Sequence, residues 1–388
     1  MRVTMLNKYY PPHLGGIEYH LRDLAVELAS RGHEVRAIVA NEGRERVVET
    51  IDGVTVTRLP RAFAYASTPV AFGMKTAIVA ESARADAPDV FHLHFPYPWG
   101  EVSWLAARGG RGALSGWRPR LDVPAVLTYH SDIVRQRFLG AAYEPFLRRI
   151  LDRVDLVIAS SPNMVEHSPH LSRIAAKCRI VPFGIHVDRF AATPARVARA
   201  VKLRAPYGRP IVLFVGRLIY YKGADVLVRA MARVDADLVM IGSGPLRGDL
   251  EQLAASLGIA DRVHFVEPVA ADDLAAWYHA ADVFCLPSVA RSEAFGLVQL
   301  EAHAAGTPVV STSLTTGVPF VNADGVTGLT VPPGDADALA AALHTLVTDD
   351  ALRASLGMQA AARAREEFSI SRMVEQTLAV YDEARGAA

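Results

Sequence analysis

Short apolar runs separated by amphipathic stretches recur through this chain in two series, and that alternation restricts it to parallel sheets covered by helices. The first series comprises RVTML, RGHEVRAIVA, VTVTRL, DVFHLH, AVLTYH, DLVIAS and CRIVPF; the second comprises IVLFV, DLVMI, VHFV, DVFCL and PVVS. Between Ile17 and Ser30, the residues Leu21, Leu24, Ala25 and Leu28 fall at helical spacing, and Gly32 turns the chain into the next run. The expected fold class is α/β with two doubly wound domains, 1–190 and 209–367. Residues 191–208 show no strand pattern and read as a linker, and 368–388 read as a final helix whose apolar face must dock. Charge follows the division: residues 1–187 hold 23 basic and 18 acidic side chains, whereas the remainder holds 18 and 23.

Composition excludes several classes. With 388 residues, 51% hydrophobic and 21% charged, the chain is neither disordered nor fibrous, and it suits two or three domains at ~100–200 residues each. Forty-one basic residues balance 41 acidic ones, which argues against a globally basic nucleic-acid binder. Cys178 and Cys285 stand far apart and form no CxxC pair, so a reducing compartment is the simpler reading. No apolar stretch approaches the ~20 residues of a membrane span. The apolar run in MRVTMLNKYYPP is too short for a signal peptide and is broken by Pro11 and Pro12. A cytoplasmic protein is expected, with the inner face of the plasma membrane as a further place for it to lie.

In open parallel sheets, ligands bind beyond the carboxyl ends of the strands. Gly15 and Gly16 follow the first strand and open a helix, where small residues and helix N–H groups let a phosphate approach. The spacing in NKYYPPHLGG lacks the Gly-x-Gly-x-x-Gly of a dinucleotide fold. In VGRLIYYKG, Arg217 leaves a strand and Lys222 follows, two cations without a neighbouring acid in the sequence, suited to a diphosphate. At an effective dielectric of ~20 and ~4 Å, each such charge pair amounts to roughly 4 kcal/mol before desolvation. In SEAFGLVQLEAHAAGTPVV, Glu293 and Glu301 would lie ~12 Å apart on one helix, beyond the ~5–9.5 Å of a glycosidase pair. They are therefore expected to serve different ligand groups, while the N–H groups of Gly296, Leu297 and Val298 can face phosphate. His92, His94 and His130, the last followed by Asp132, also sit at strand ends. With no cysteine nearby and no HExxH helix, they read as buried, hydrogen-bonded histidines and not as zinc ligands.

Taken in this order, Gly15-Gly16, His130 with Asp132, Arg217 with Lys222, and Glu293 with Glu301 resemble the retaining sugar-nucleotide glycosyltransferases of family 4. The resemblance spans nearly the whole chain. It implies the GT-B fold, two Rossmann-like doubly wound parallel-sheet domains facing across a cleft, with donor held by the second, acceptor mainly by the first, and no metal or other cofactor. By the same resemblance, Arg217 and Lys222 hold the diphosphate, Glu301 the ribose hydroxyls and Glu293 the donor sugar. Gly15 and Gly16 form the phosphate-approaching loop of the first domain, and His130 lies by the transferred sugar. Phe295, Gly296, Leu297 and Val298 form a donor-binding turn, and base recognition falls near Val266. His130, Arg217, Lys222 and Glu293 are the expected catalytic set. The chain departs from the family pattern at Ala294, where Gly is common, and at FGIHVD, where Asn-Gly-Val-Asp is common.

The phrases GRLIYYKG and TTGVPFVNADGVTGLTVPPGD look most like bacterial polysaccharide mannosyltransferases, which favours GDP-mannose as donor, then a UDP-hexose. The expected acceptor is a glycan or lipid-linked saccharide. Residues 104–120 contain no acid but carry Arg108, Arg111, Trp117, Arg118 and Arg120, a pattern suited to an acceptor or to an anionic membrane surface. An epimerase of the same fold and a non-catalytic nucleotide-binding relative are the alternatives.

Overall fold

The computed structural model describes residues 1–13, 15–65, 68–109, 122–132 and 137–386. The chain divides into two compact units: Met1–Ser160 with Val165–Pro182 and Met373–Ala388, and Ser161–Met164 with Phe183–Arg372.

The first unit carries strands β1 (Arg2–Leu6), β2 (Glu34–Ala40), β3 (Val47–Ile51), β4 (Val54–Leu59), β5 (Phe63–Tyr65), β6 (Thr68–Val70), β7 (Val90–Phe95), β8 (Ala125–Tyr129), β9 (Leu156–Ala159) and β10 (Cys178–Ile180). Its main sheet has the order β10-β9-β8-β7-β1-β2-β4-β3, parallel except for β3, while β5 and β6 form a separate hairpin. Strand order reverses between β1 and β7, which pair directly. The residues of β7 and β8 are buried throughout, the signature of a sheet covered on both faces. The helix Gly16–Ser30 buries Leu21, Leu24, Ala25 and Leu28.

β3 was not legible as a run because it is an antiparallel edge strand, partly exposed along its length. Asp52 and Gly53 join it to β4 with φ of 49° and 83°, the two-residue turn that an Asp-Gly pair favours.

The second unit carries β11 (Ile211–Val215), β12 (Asp237–Ile241), β13 (Val263–Val266), β14 (Val283–Leu286), β15 (Val309–Thr312) and β16 (Gly328–Val331). The sheet is parallel, in the order β13-β12-β11-β14-β15-β16. Its order reverses between β11 and β14.

Two boundaries differ from the expectation. The stretch 191–208 holds a helix, Pro194–Arg204, with Thr193 accepting from the Arg196 N–H at 3.2 Å and Pro194 in the first turn. Ala200 packs into one apolar cluster with Trp277 and Tyr278, so this segment belongs to the second unit. The division also falls before Phe183, because Phe183 and Ile185 pack with Phe295, Leu300 and Phe368. The last helix, Ile370–Gly386, has its residues from Met373 onward in the first unit, where Tyr381 is buried against His92. Among the described residues no helix is long and apolar enough to cross a membrane.

Candidate active site

In both sheets the singled-out residues lie beyond the carboxyl ends of strands, several of them on the strands that flank the order reversal, the place where an open parallel sheet leaves a crevice. In the second unit, Arg217 and Lys222 follow β11, and Glu293 follows its neighbour β14. Two glycines shape the β11 loop. Gly223 has φ of 65°, and a Cβ there would lie 2.1 Å from the Pro287 carbonyl oxygen, so the loops after β11 and β14 touch backbone to backbone. The Val289 N–H donates to the Tyr221 carbonyl at 2.8 Å across the same seam. Gly242, of the GSGP turn, would place a Cβ 2.0 Å from the Gly216 carbonyl oxygen. That turn is therefore a packing requirement of the β11 loop.

The structure corrects the picture of two cations without an acid. Lys222 Nζ lies 2.6 Å from Glu293 Oε2, with both side chains nearly buried at 12% and 10% exposure. Ser288 Oγ donates to the same oxygen at 3.0 Å, and Thr312 anchors the Ser288 carbonyl at 2.6 Å. Glu293 thus neutralises Lys222. Arg217 is exposed and, among the described residues, its side chain has neither a hydrogen bond nor an ion pair, which leaves its charge uncompensated and open to an anion.

Glu293 and Glu301 do not share a helix: Glu293 lies in the loop, and the helix begins at Leu297. Gly296 precedes it with φ of 74°, and a Cβ there would meet Leu286 at 2.6 Å. By helix geometry, the N–H groups of Leu297 and Val298 have no intrahelical acceptor and can serve an anion. Phe295 requires a correction, because its ring is buried against Phe183 and Phe368; only its backbone can meet a ligand. Val266 ends β13, and its carbonyl accepts from the Gly242 N–H at 2.9 Å, which puts it at the same strand-end edge.

Glu301 Oε2 accepts the Tyr278 hydroxyl at 2.6 Å. Burial raises the carboxyl to about 7, against the lowering effect of that bond. Because the folded value is raised, this group's contribution to stability is present below 4.5 and is lost as pH rises through about 7. The carboxylate is the form that accepts hydroxyls, so ligand linkage has the opposite sign. If Glu301 holds the ribose, nucleotide affinity measured by calorimetry is expected to fall as pH drops below about 7, approaching tenfold per pH unit. Glu301→Gln should flatten that dependence.

In the first unit, Gly15 precedes the helix and Gly16 opens it. A Cβ on Gly15 would lie 2.1 Å from Glu18 Oε2, whereas Gly16 has nothing within 4 Å. Gly15 therefore makes room for a carboxylate folded back over the helix start, and Gly16 keeps the open side. His94 and His130 meet at 3.1 Å between Nδ1 and Nε2, and His20, one turn beyond Gly16, stands edge-on to His130 with ring centroids 5.0 Å apart. His20 was missed because its position within an apolar helical stripe reads as core. His92 bonds Thr128 Oγ1 at 2.7 Å and the Tyr381 hydroxyl at 2.6 Å. Burial holds His20 down at about 4 and His92 at about 3, and holds His94 and His130 well below the ordinary range, so all four imidazoles are neutral near pH 7. Asp132 Oδ1 accepts from Tyr129 and Ser168 at 2.7 Å each.

Arg108 is not a free surface cation. It lies 3.5 Å from Asp155 and 5.3 Å over the buried Trp104 ring, with 19% of its side chain exposed. Arg111, Trp117, Arg118 and Arg120 lie outside the described residues.

Two doubly wound units, each with these groups beyond the carboxyl ends of its strands, have the architecture of the GT-B class. Comparison with known proteins agrees. Residues 14–189 match the model for Glycosyltransferase Family 4, and residues 198–363 match that for Glycosyl transferases group 1. The chain is similar to O-antigen chain mannosyltransferase C of Escherichia coli, at 32% identity over 98% of both chains. It is also similar to D-rhamnosyltransferase WbpZ of Pseudomonas aeruginosa, at 33% identity over 95% of this chain and 92% of that one. A solved sucrose-phosphate synthase from Thermosynechococcus elongatus superimposes over 100% of both chains with a TM-score of 0.80 and 26% identity. The chain belongs to glycosyltransferase family 4 and is a glycosyltransferase of the GT-B kind.

Proposed function

We propose that this enzyme transfers mannose from GDP-mannose to a glycan or lipid-linked acceptor with retention of anomeric configuration. The observation that carries the nucleotide part is the group after β11 and β14: exposed Arg217, the Lys222–Glu293 pair and the N–H groups of Leu297 and Val298, which among the described residues meet no backbone carbonyl. Arg217 takes the diphosphate as a planar fork, Lys222 bridges phosphate and Glu293, and Glu301 takes the ribose hydroxyls. Glu293, turned toward Lys222, orients the sugar. In the first unit, Gly16 admits phosphate to a helix start and His130, neutral, bonds a sugar hydroxyl.

Stabilising charge on the departing diphosphate is then the main rate term, and that phosphate accepts the acceptor proton during same-face attack. A double displacement needs a free carboxylate nucleophile. Asp132 is a poor candidate, since Tyr129 and Ser168 both donate to one of its oxygens. Mannose is favoured by the similarity to the Escherichia coli mannosyltransferase, and a UDP-hexose is the alternative. The family resemblance implies that this step runs without a metal, so turnover in EDTA is expected.

The test is turnover of GDP-mannose and UDP-hexoses with a lipid-linked saccharide acceptor, with the new linkage read by NMR. An α-linked product from GDP-mannose is expected. Turnover of UDP-hexoses alone would transfer the proposal to the second donor, and an inverted linkage would refute same-face attack.

A further inference from the structure

Around His130, the transfer chemistry gives no role to the two further histidines that cluster with it in the first unit. His20, His94 and His130 are all buried, and each offers a ring nitrogen within 4.8 Å of the other two. They come from three elements, the helix after β1, the end of β7 and the residue after β8, so the fold brings them together at the sheet's order reversal. We propose that these imidazoles form a binding site for a divalent cation of the zinc class, and that its occupancy switches the transferase off.

The geometry is close to what such a cation needs. Zinc–nitrogen bonds of ~2.0–2.1 Å set tetrahedral ligand atoms ~3.3 Å apart; His94 Nδ1 and His130 Nε2 stand at 3.1 Å. From a separation of up to 4.8 Å, the His20 nitrogen closes by about 1.5 Å to complete the triangle. His92 is not a ligand, since Thr128 and Tyr381 occupy both its nitrogens; its ring lies 4.3 Å from that of His94 and walls the site. Three histidines leave a fourth position for water or an anion.

Binding rests on these distances alone. The switching role rests also on the proposed place of His130 beside the sugar: a cation takes one of its nitrogens and puts two positive charges at the sheet edge where the hydroxyl would bond.

The experiment uses the full chain stripped with EDTA and titrated with cobalt(II), then zinc. The expected result is a single equivalent of each, with the intense visible band of low-coordinate cobalt, displaced by zinc. His94→Ala should lose the band, whereas the surface variant His344→Ala should keep it. Should His94→Ala fail to fold, X-ray absorption of the wild-type zinc complex reads the imidazole ligands directly. Absence of stoichiometric cobalt and zinc in folded wild type, or a band that survives His94→Ala, would overturn the site. Zinc is expected to slow transfer by on the order of 10²-fold, reversed by EDTA; bound zinc with unchanged turnover would overturn the switch. Failure of the metal-free enzyme to turn over any sugar nucleotide would count against the transfer reading alone, because metal content is measured without it.

Discussion

Arg217→Ala is expected to lower transfer by ~10²–10³-fold, the loss that follows removal of one group stabilising transition-state charge. Its stability should match that of wild type, because the side chain is exposed and among the described residues makes no ion pair or hydrogen bond. The loss should appear in kcat as well as in donor affinity, since charge on the diphosphate grows as the sugar leaves. Steady-state kinetics with a melting curve checks both halves. Wild-type turnover in a folded Arg217→Ala protein would remove this residue from the site.

Lys222→Ala should differ in kind. Its partner Glu293 is nearly buried, and removing one member of a buried pair costs roughly 3–5 kcal/mol because the remaining charge loses its compensation. Both activity and the melting temperature should fall. The double variant Lys222→Met with Glu293→Gln should recover most of the stability, since no charge is stranded, but none of the activity. Full stability in Lys222→Ala alone would mean that the pair does not form in solution.

These two variants mark what the sequence could and could not reveal. Arg217 and Lys222 are visible as cations after an apolar run, but the acid that separates their behaviour lies far along the chain, after a different strand, and no local pattern joins them. Tyr278 escapes for the same reason: its hydroxyl reaches Glu301 from a neighbouring helix. The buried strands β1, β7, β8, β11 and β12 were legible because a sheet covered on both faces writes itself as an unbroken apolar run. The edge strand β3 shows half-exposed alternation instead, and the Asp52-Gly53 turn that leads from it into β4 was the available signal. The helix Pro194–Arg204 has few buried positions, so its periodicity is faint, although Thr193-Pro194 is a recognisable start. His20 could be found only in three dimensions, where a helix, a strand end and a loop converge.

The central claim is that the second unit binds a nucleoside diphosphate through Arg217. Thermal stability of the full chain in EDTA, with excess GDP, UDP, ADP or NAD, tests it most directly. Ligand at ~100 times its dissociation constant adds about 2.7 kcal/mol. Stabilisation by GDP, reduced in Arg217→Ala, is the expected result; stabilisation by NAD alone would contradict the account.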